Sequence, residues 1–598
     1  MKKRPTVLAT ALAAALVSAG PAQAAPAARS TRPPQPAPHQ PVFPHGYRGI
    51  TVTGGSVPTL SRPGDVMGAL NGAKRLPARG APAIATDDTH TVTVDVLDRD
   101  GKAPQTADAQ YVIFRSLDGA TNGYGQLDNG HFTGQLAPGE YVVEAGVSTP
   151  EPGGGESLTV VYLPRFVLDQ DRTVVLDARE GRPMSLNVDR PDARLTGGDG
   201  GGGYARVVQT IGGETSTTAS IFLNGQPTYI TPSGPAPGLR LLLQGRLTKD
   251  GAVTGSPYIY NIAGSASDQD VIPSDPVLRV RTADLATVNT RYARQGRPAC
   301  AGTHAGAHWP GGGFTTGFYV GVGSLPATRT EYFSPGADWE TDTDIGADCD
   351  LIEASVTATS EQFPRAGAYT RDRTTGPLGP GADFNTLLSD GTVQFWIPML
   401  SSWDAHSGIA PFDHVTGKTT LQAADGKVIA TSDQPGYGEF TLPAPGRGPG
   451  QAAYKVTTDA ERQAPWSDLA TRQHIVWTFT AQAPSGDWAP LPLLSVLYRT
   501  RLDDDNRAPT STQHLALSVR TDQYAPTPTV RRLTLRASYD DGTTWKDVPV
   551  YNTGQGWEAT LQNPPGSAGR YVSLRAVAED TTGRTVDQTV IHAYGLAP

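Results

Sequence analysis

RASYDDGTTWKDVPV, residues 536–550, is followed by GWEATL at 556–561 and YVSLRAVAEDTTGRTVDQTVIHAY at 571–594. Leu533, Leu535, Ala537 and Tyr539 alternate with Arg532, Thr534, Arg536 and Ser538. That period of two gives a strand one buried and one wet face. Asp541-Gly542 offers the positive-φ pair that closes a tight hairpin, and Trp545 opens the return strand. Val572, Leu574, Ala576 and Ala578 repeat the alternation, Asp580 to Gly583 turns again, and Val586 to Tyr594 runs back. The spacing predicts a small antiparallel sandwich over 507–598 that performs no chemistry.

The rest of the chain is built from similar material. With 68 Gly and 51 Pro in 598 residues, long helices are disfavoured. The expected class is all-β, as tandem β-sandwich modules behind a disordered N-terminal lead. No stretch makes a convincing amphipathic helix, and Asp459 to Arg472 is the one candidate. A chain of this length carries three or four domains as a prior. Residues 25–85 are a Pro-, Ala- and Gly-rich tether, and 86–182 is a first sandwich. Residues 183–502 hold many short strands, in one large sandwich or two, with turns at Asp250-Gly251, Asp390-Gly391 and Asp425-Gly426. The glycine run from Gly197 to Gly203 is read as a flexible loop. Asp503-Asp504-Asp505-Asn506 before Pro509 marks the entry to the last module, 507–598.

Residues 1–24 have the three parts of a signal peptide: Lys2, Lys3 and Arg4, an apolar run from Val7 to Ala19, and Ala22-Gln23-Ala24. No later apolar run approaches the ~20 residues a membrane helix needs, so the mature protein is expected free outside the cell. The full sequence has 49 basic and 58 acidic residues, a formal charge of −9. Without Lys2, Lys3 and Arg4 the mature chain has 46 basic against 58 acidic residues and stands at −12, which argues against nucleic acid or an anionic membrane as partner. Cys300 and Cys349, an even pair in an exported chain, favour a disulfide, with two free thiols as the alternative. Such a bridge stabilises by about 4 kcal/mol in the chain-entropy model.

VTVDVLDRDGKAP (92–104) and GHFTGQLAPGEYVVEA (130–145) resemble the carboxypeptidase regulatory-like, transthyretin-type sandwich, a structural or binding module. The terminal strands resemble immunoglobulin or fibronectin modules. A broader likeness runs through YLPRFVLDQDRTVVLDAREGRPMSLNV (162–188), SYDDGTTW (538–545) and YVSLRAVAEDTTG (571–583). Together these are similar to the non-catalytic C-terminal region of secreted actinobacterial subtilisin-like serine peptidases, over residues 88–598. In that family a catalytic domain precedes these modules; here the place holds only the Pro-rich lead. The family's Asp, His and Ser settings (D-[ST]-G, HGT and GTSMA) are absent, so the resemblance transfers no catalytic residue.

Several constellations invite chemistry. His304-Ala-Gly-Ala-His308 has the i, i+4 spacing of a zinc-binding helix, but Gly and Pro around it oppose a helix and no Glu follows the first His. A surface loop beside the disulfide is the alternative. Asp338, Asp342, Asp344, Asp348 and Asp350 supply hard oxygens suited to calcium, without the spacing of an EF-hand; the alternative is a solvated acidic loop. Asp503 to Asn506 offers calcium a second place, or is a plain polar linker. Trp403, Asp404, His406, Asp413 and His414 crowd one segment, and Ser401 or Ser407 beside His406 would complete a hydrolase set. No G-x-S-x-G elbow supports it. Trp309, Trp396, Trp403, Trp466, Trp477 and Trp488 could line a sugar platform, although Trp477, between Val476 and Phe479, reads as core.

The sequence thus points to a secreted, non-enzymatic β protein without a resident cofactor, binding or spacing an extracellular protein or cell-wall glycan. Its rivals are a hydrolase with a cryptic site in 183–501 and a carbohydrate-binding protein.

Overall fold

The computed structural model describes residues 74–75 and 89–598, apart from 105–110, 198–201, 224–225, 309–317, 350–352, 382–384, 389–390, 404–406, 410–413, 443–451, 483, 485 and 523–524. The expected signal peptide, nearly all of the 25–85 lead, most of the glycine run, Asp350 and Asp390 lie outside the described residues. What is described is β structure throughout, with helix limited to short 3-10 turns such as Ala178–Glu180 and Thr282–Asp284. Among the described residues no helix is long and apolar enough to cross a membrane.

Alternation sets the first sandwich. Val92, Val94 and Val96 point inward from the strand His90–Leu97, which lies between His131–Leu136 and Arg172–Asp177 in a three-stranded sheet. They pack on Val112, Phe114, Tyr141 and Val143 of a seven-stranded sheet whose central strands are Gly139–Pro150 and Glu156–Leu168. Those two strands are buried on both faces. Val142, Val160 and Tyr162 turn the other way, onto Val207, Leu241 and Leu243 of an eight-stranded sheet. Hence their near-continuous apolar runs, where a half-wet strand would alternate.

The eight-stranded sheet runs in the order Glu214–Leu223, Gly203–Ile211, Arg240–Lys249, Tyr258–Ser265, Ala327–Phe333, Ala286–Tyr292 and Gly367–Arg373, with Ala193–Leu195 pairing from the side. Beyond it lies a five-stranded sheet: Val320–Ser324, Cys300–His308, Asp338–Gly346, Ala354–Gln362 and Ser407–Ile409. Ala305, Ala307 and Trp339 seat these two sheets on Ala263, Val288 and Phe333.

One core holds the C-terminal third together. A nine-stranded sheet, centred on Ala452–Arg462, Arg472–Ala481, Thr585–Leu596 and Tyr571–Asp580, faces two four-stranded sheets across Val456, Trp477, Leu517, Leu574 and Val590. Thr585–Leu596 pairs with Arg472–Ala481 on one side and Tyr571–Asp580 on the other. Strands from either side of residues 503–506 therefore share a sheet. The Asp541-Gly542 turn sits at φ +56° and +85°, as the hairpin required.

The candidate helix at Asp459 to Arg472 is not formed. Ala452–Arg462 and Arg472–Ala481 are antiparallel strands, with Asp459 opposite His474. Tyr454, Val456, Thr458, Ala460 and Arg462 all point inward, a period of two that outweighs the helix-like composition beyond it, and Pro465 interrupts the link.

Candidate functional site

Cys300 and Cys349 are joined, their Cα atoms 4.9 Å apart. The bridge anchors one end of the Cys300–His308 strand, so His304 and His308 lie on a strand and not in the expected loop. On a strand, i and i+4 share a face just as i and i+2 do. The acidic segment is likewise no solvated loop: Asp338–Gly346 pairs antiparallel with Cys300–His308, setting His304 opposite Asp342 and His308 opposite Asp338. His304 Nε2 stands 2.9 Å from an Asp344 carboxylate oxygen, and His308 Nε2 stands 3.0 Å from Glu340. Asp342 and Asp344 are buried, whereas Asp348 follows the strand in a turn. Gly302 on the same face carries Tyr319: a Cβ there would meet its ring at 2.2 Å. Two sequence candidates thus become one polar sheet face. Among the described residues no three His, Cys, Asp or Glu side chains converge as a metal ligand set.

The opposite face of that sheet meets a buried ionic network that the sequence reading missed. Glu331 accepts from Arg329 at 2.7 Å, and also pairs with Arg371 and the Tyr292 hydroxyl. Glu361 pairs with Arg373 at 2.9 Å and with Arg371. Arg246 and Arg329 both donate to Thr303 Oγ1 at 2.8 Å, and Arg373 donates to Thr341 Oγ1 at 2.7 Å. The donors stand on the eight-stranded sheet and these acceptors on the five-stranded one, so the network bonds sheet to sheet. Burial alone would raise the Glu331 pKa, but Arg329 and Arg371 outweigh it and hold the carboxyl at about 2. For Arg246 burial dominates, seconded by the nearby Arg329 charge, and lowers the guanidinium to about 9. The available signal was period two: Arg329, Glu331 and Phe333, or Arg371 and Arg373, occupy the inward register of their strands.

In the 503–506 segment, every acidic side chain is engaged. Asp503 accepts from the backbone N–H groups of Asp505 at 2.9 Å and Arg507 at 2.8 Å. Asp504 bonds Arg291 at 3.0 Å and Asp505 bonds Arg294 at 2.6 Å. Asn506, fully buried at φ +57°, donates to the carbonyls of Arg294 and Thr374 at 2.9 and 3.0 Å and accepts from the Gly376 N–H at 2.6 Å. From the other side Asp468 takes Arg297 at 2.6 Å. Residues 291–297, which leave the eight-stranded sheet at Tyr292, are gripped by two loops of the C-terminal region.

In the 401–414 segment, Asp404, His406 and Asp413 lie outside the described residues. His414 bonds Glu353 at 3.0 Å, next to the disulfide end of the five-stranded sheet. Ser401 is buried and donates to the Pro398 carbonyl at 3.3 Å. The tryptophans separate by burial: Trp466 and Trp477 are core, Trp396, Trp403 and Trp488 are half-buried, and Trp309 is outside the described residues.

Trp403 lines a cleft of about 650 Å³. Its floor is the outer face of the four-stranded sheet, where Arg499 pairs with Ala516 on Thr512–Arg520 and Ala516 pairs with Glu558 on Trp557–Gln562. His514 and Thr560, paired one step along the same face, stand 3.2 Å apart at Nδ1 and Oγ1. Arg501 and the Arg291–Asp372 pair close the rim.

No family model matches the chain, and no curated protein matches its sequence. Among solved structures it is similar to the N-terminal eight Ig domains of Down syndrome cell adhesion molecule isoform 1.30.30, at 9% identity and TM-score 0.12, over 85% of this chain and 74% of that one. The BSP domain of a biofilm associated protein gives 9% identity and TM-score 0.12 over 87% of this chain and 99% of the other. Elastase-activated Escherichia coli alpha-2-macroglobulin gives 13% and 0.12 over 86% of this chain, which spans 53% of that protein's length. TM-scores this low establish no common overall fold.

Proposed function

We propose that the chain is an exported, non-catalytic array of β-sandwich modules that binds or spaces an extracellular protein or cell-wall glycan. In this reading it is the counterpart of the accessory region of subtilisin-like peptidases. The observation that carries it is the clamp at 503–506: two carboxylates, Asp504 and Asp505, and the buried Asn506 tie this segment to the 291–294 end of an eight-stranded-sheet strand, while Asp503 holds the turn itself. A spacer needs a junction that holds its angle, and ion pairs backed by buried hydrogen bonds supply one.

The test is twofold. Mass spectrometry of the culture medium should find the mature protein beginning after Ala24. Purified mature protein should not turn over casein or peptides, with or without a serine-protease inhibitor. Inhibitor-sensitive turnover would overturn the reading in favour of a hydrolase in 183–501.

A further inference from the structure

We infer that the cleft between Trp403 and the Arg499–Ala516–Glu558 row binds a carboxylate-bearing, uronic-acid oligosaccharide. The inference rests on the binding function just proposed and names its site and ligand class.

Volume comes first. About 650 Å³ lies inside the range of small-ligand sites and would hold a few sugar rings. The floor is shaped to leave room. Adjacent strands lie about 4.8 Å apart, so Arg499 and Glu558 stand about 10 Å apart at the backbone with only the Ala516 methyl between them.

Charge decides the ligand. Arg291 on the rim is occupied by Asp372 and Asp504. Arg499 and Arg501 are exposed and make no ion pair among the described residues. Two uncommitted guanidiniums in one cleft of a net acidic chain suit carboxylates, which they grip in pairs of parallel N–H bonds. Across the floor, Glu558, His514 and Thr560 offer acceptors and donors for hydroxyls. Trp403 offers an indole for the C–H face of a pyranose, and the Arg520 guanidinium, 5.5 Å from its ring centroid, helps to hold it. A neutral sugar would leave the two arginines unused; an acidic peptide would leave the indole without a ring to stack on.

The experiment is calorimetric titration of the mature protein with oligogalacturonate, a neutral cello-oligosaccharide of equal length, and poly-glutamate. Oligogalacturonate should bind at least about tenfold more tightly than either control, and more weakly as salt rises. The double variant Arg499→Ala/Arg501→Ala and, separately, Trp403→Ala should each lose about tenfold or more with unchanged melting curves, and Arg499→Lys/Arg501→Lys should fall between. Equal binding of the neutral sugar, or full affinity in the double alanine variant, overturns the inference. So does poly-glutamate binding that ignores Trp403→Ala. Reducing-end release or casein cleavage would sink the non-catalytic reading with the cleft's binding intact, whereas no uronate binding and no turnover sinks the cleft alone.

Discussion

Two buried glutamates show how the count of neighbouring cations sets a charge state. Among the described residues Glu144 pairs with Arg115 alone, at 2.7 Å, and burial prevails, raising its pKa. Glu331 meets Arg329 and Arg371 together and is held at about 2. The ordinary glutamate value is 4.5, so the unfolded chain binds more protons than the folded one between those limits. The stability Glu331 contributes is therefore complete above pH 4.5 and is lost as pH falls toward about 2. The expected loss is on the order of 3 kcal/mol, read from denaturant unfolding at stepped pH. Glu331→Gln should be less stable at neutral pH and should flatten that dependence. Asn506 is the other decisive residue. Asn506→Ala should cost about 2–4 kcal/mol, and Asn506→Gly about 1 kcal/mol less, because glycine relieves the positive φ but restores none of the three hydrogen bonds. If both variants melt like the parent, the clamp is not holding the junction.

Among the elements, the Cys300–His308 strand carries the most history. Its ladder to Asp338–Gly346 is held by the disulfide at one end and by His–carboxylate pairs along its face. Replacing Cys300 and Cys349 together with Ala should cost about 3–4 kcal/mol, since a closed loop of this length removes much unfolded-state entropy. Measured stability within a few tenths of the parent would contradict that. Trp477→Ala, deep in the C-terminal core with its Nε1–H on the Leu494 carbonyl at 2.7 Å, should cost about 3–5 kcal/mol. Both cysteines and Trp477 were legible from the chain, one from compartment and parity, the other from strand position. The polar face was not, because its two halves are about forty residues apart in sequence and only the ladder register brings His304 to Asp344.

At the scale of the molecule, the C-terminal third is one core crossed by the 503–506 segment. Thr585–Leu596 lies between Arg472–Ala481 and Tyr571–Asp580. A chain ending at residue 502 would strip the Arg472–Ala481 strand of one of its two partners, Thr585–Leu596, and remove the strands of residues 507–598 that share the core with Val456 and Trp477. Such a truncation should lose its cooperative high-temperature transition and be cleaved by protease through 378–502. A truncated chain that melts and resists proteolysis like the parent would show instead that residues 378–502 fold alone.

Local pattern was enough for strand type and turn position, because alternation and Asp-Gly pairs act over a few residues. It also sufficed for the cysteine pairing and the all-β class. Which sheet a strand joined, which charges were buried together, and which outer face became a cleft were decided only when distant strands met. Register sets those choices, and register depends on the packing of the whole.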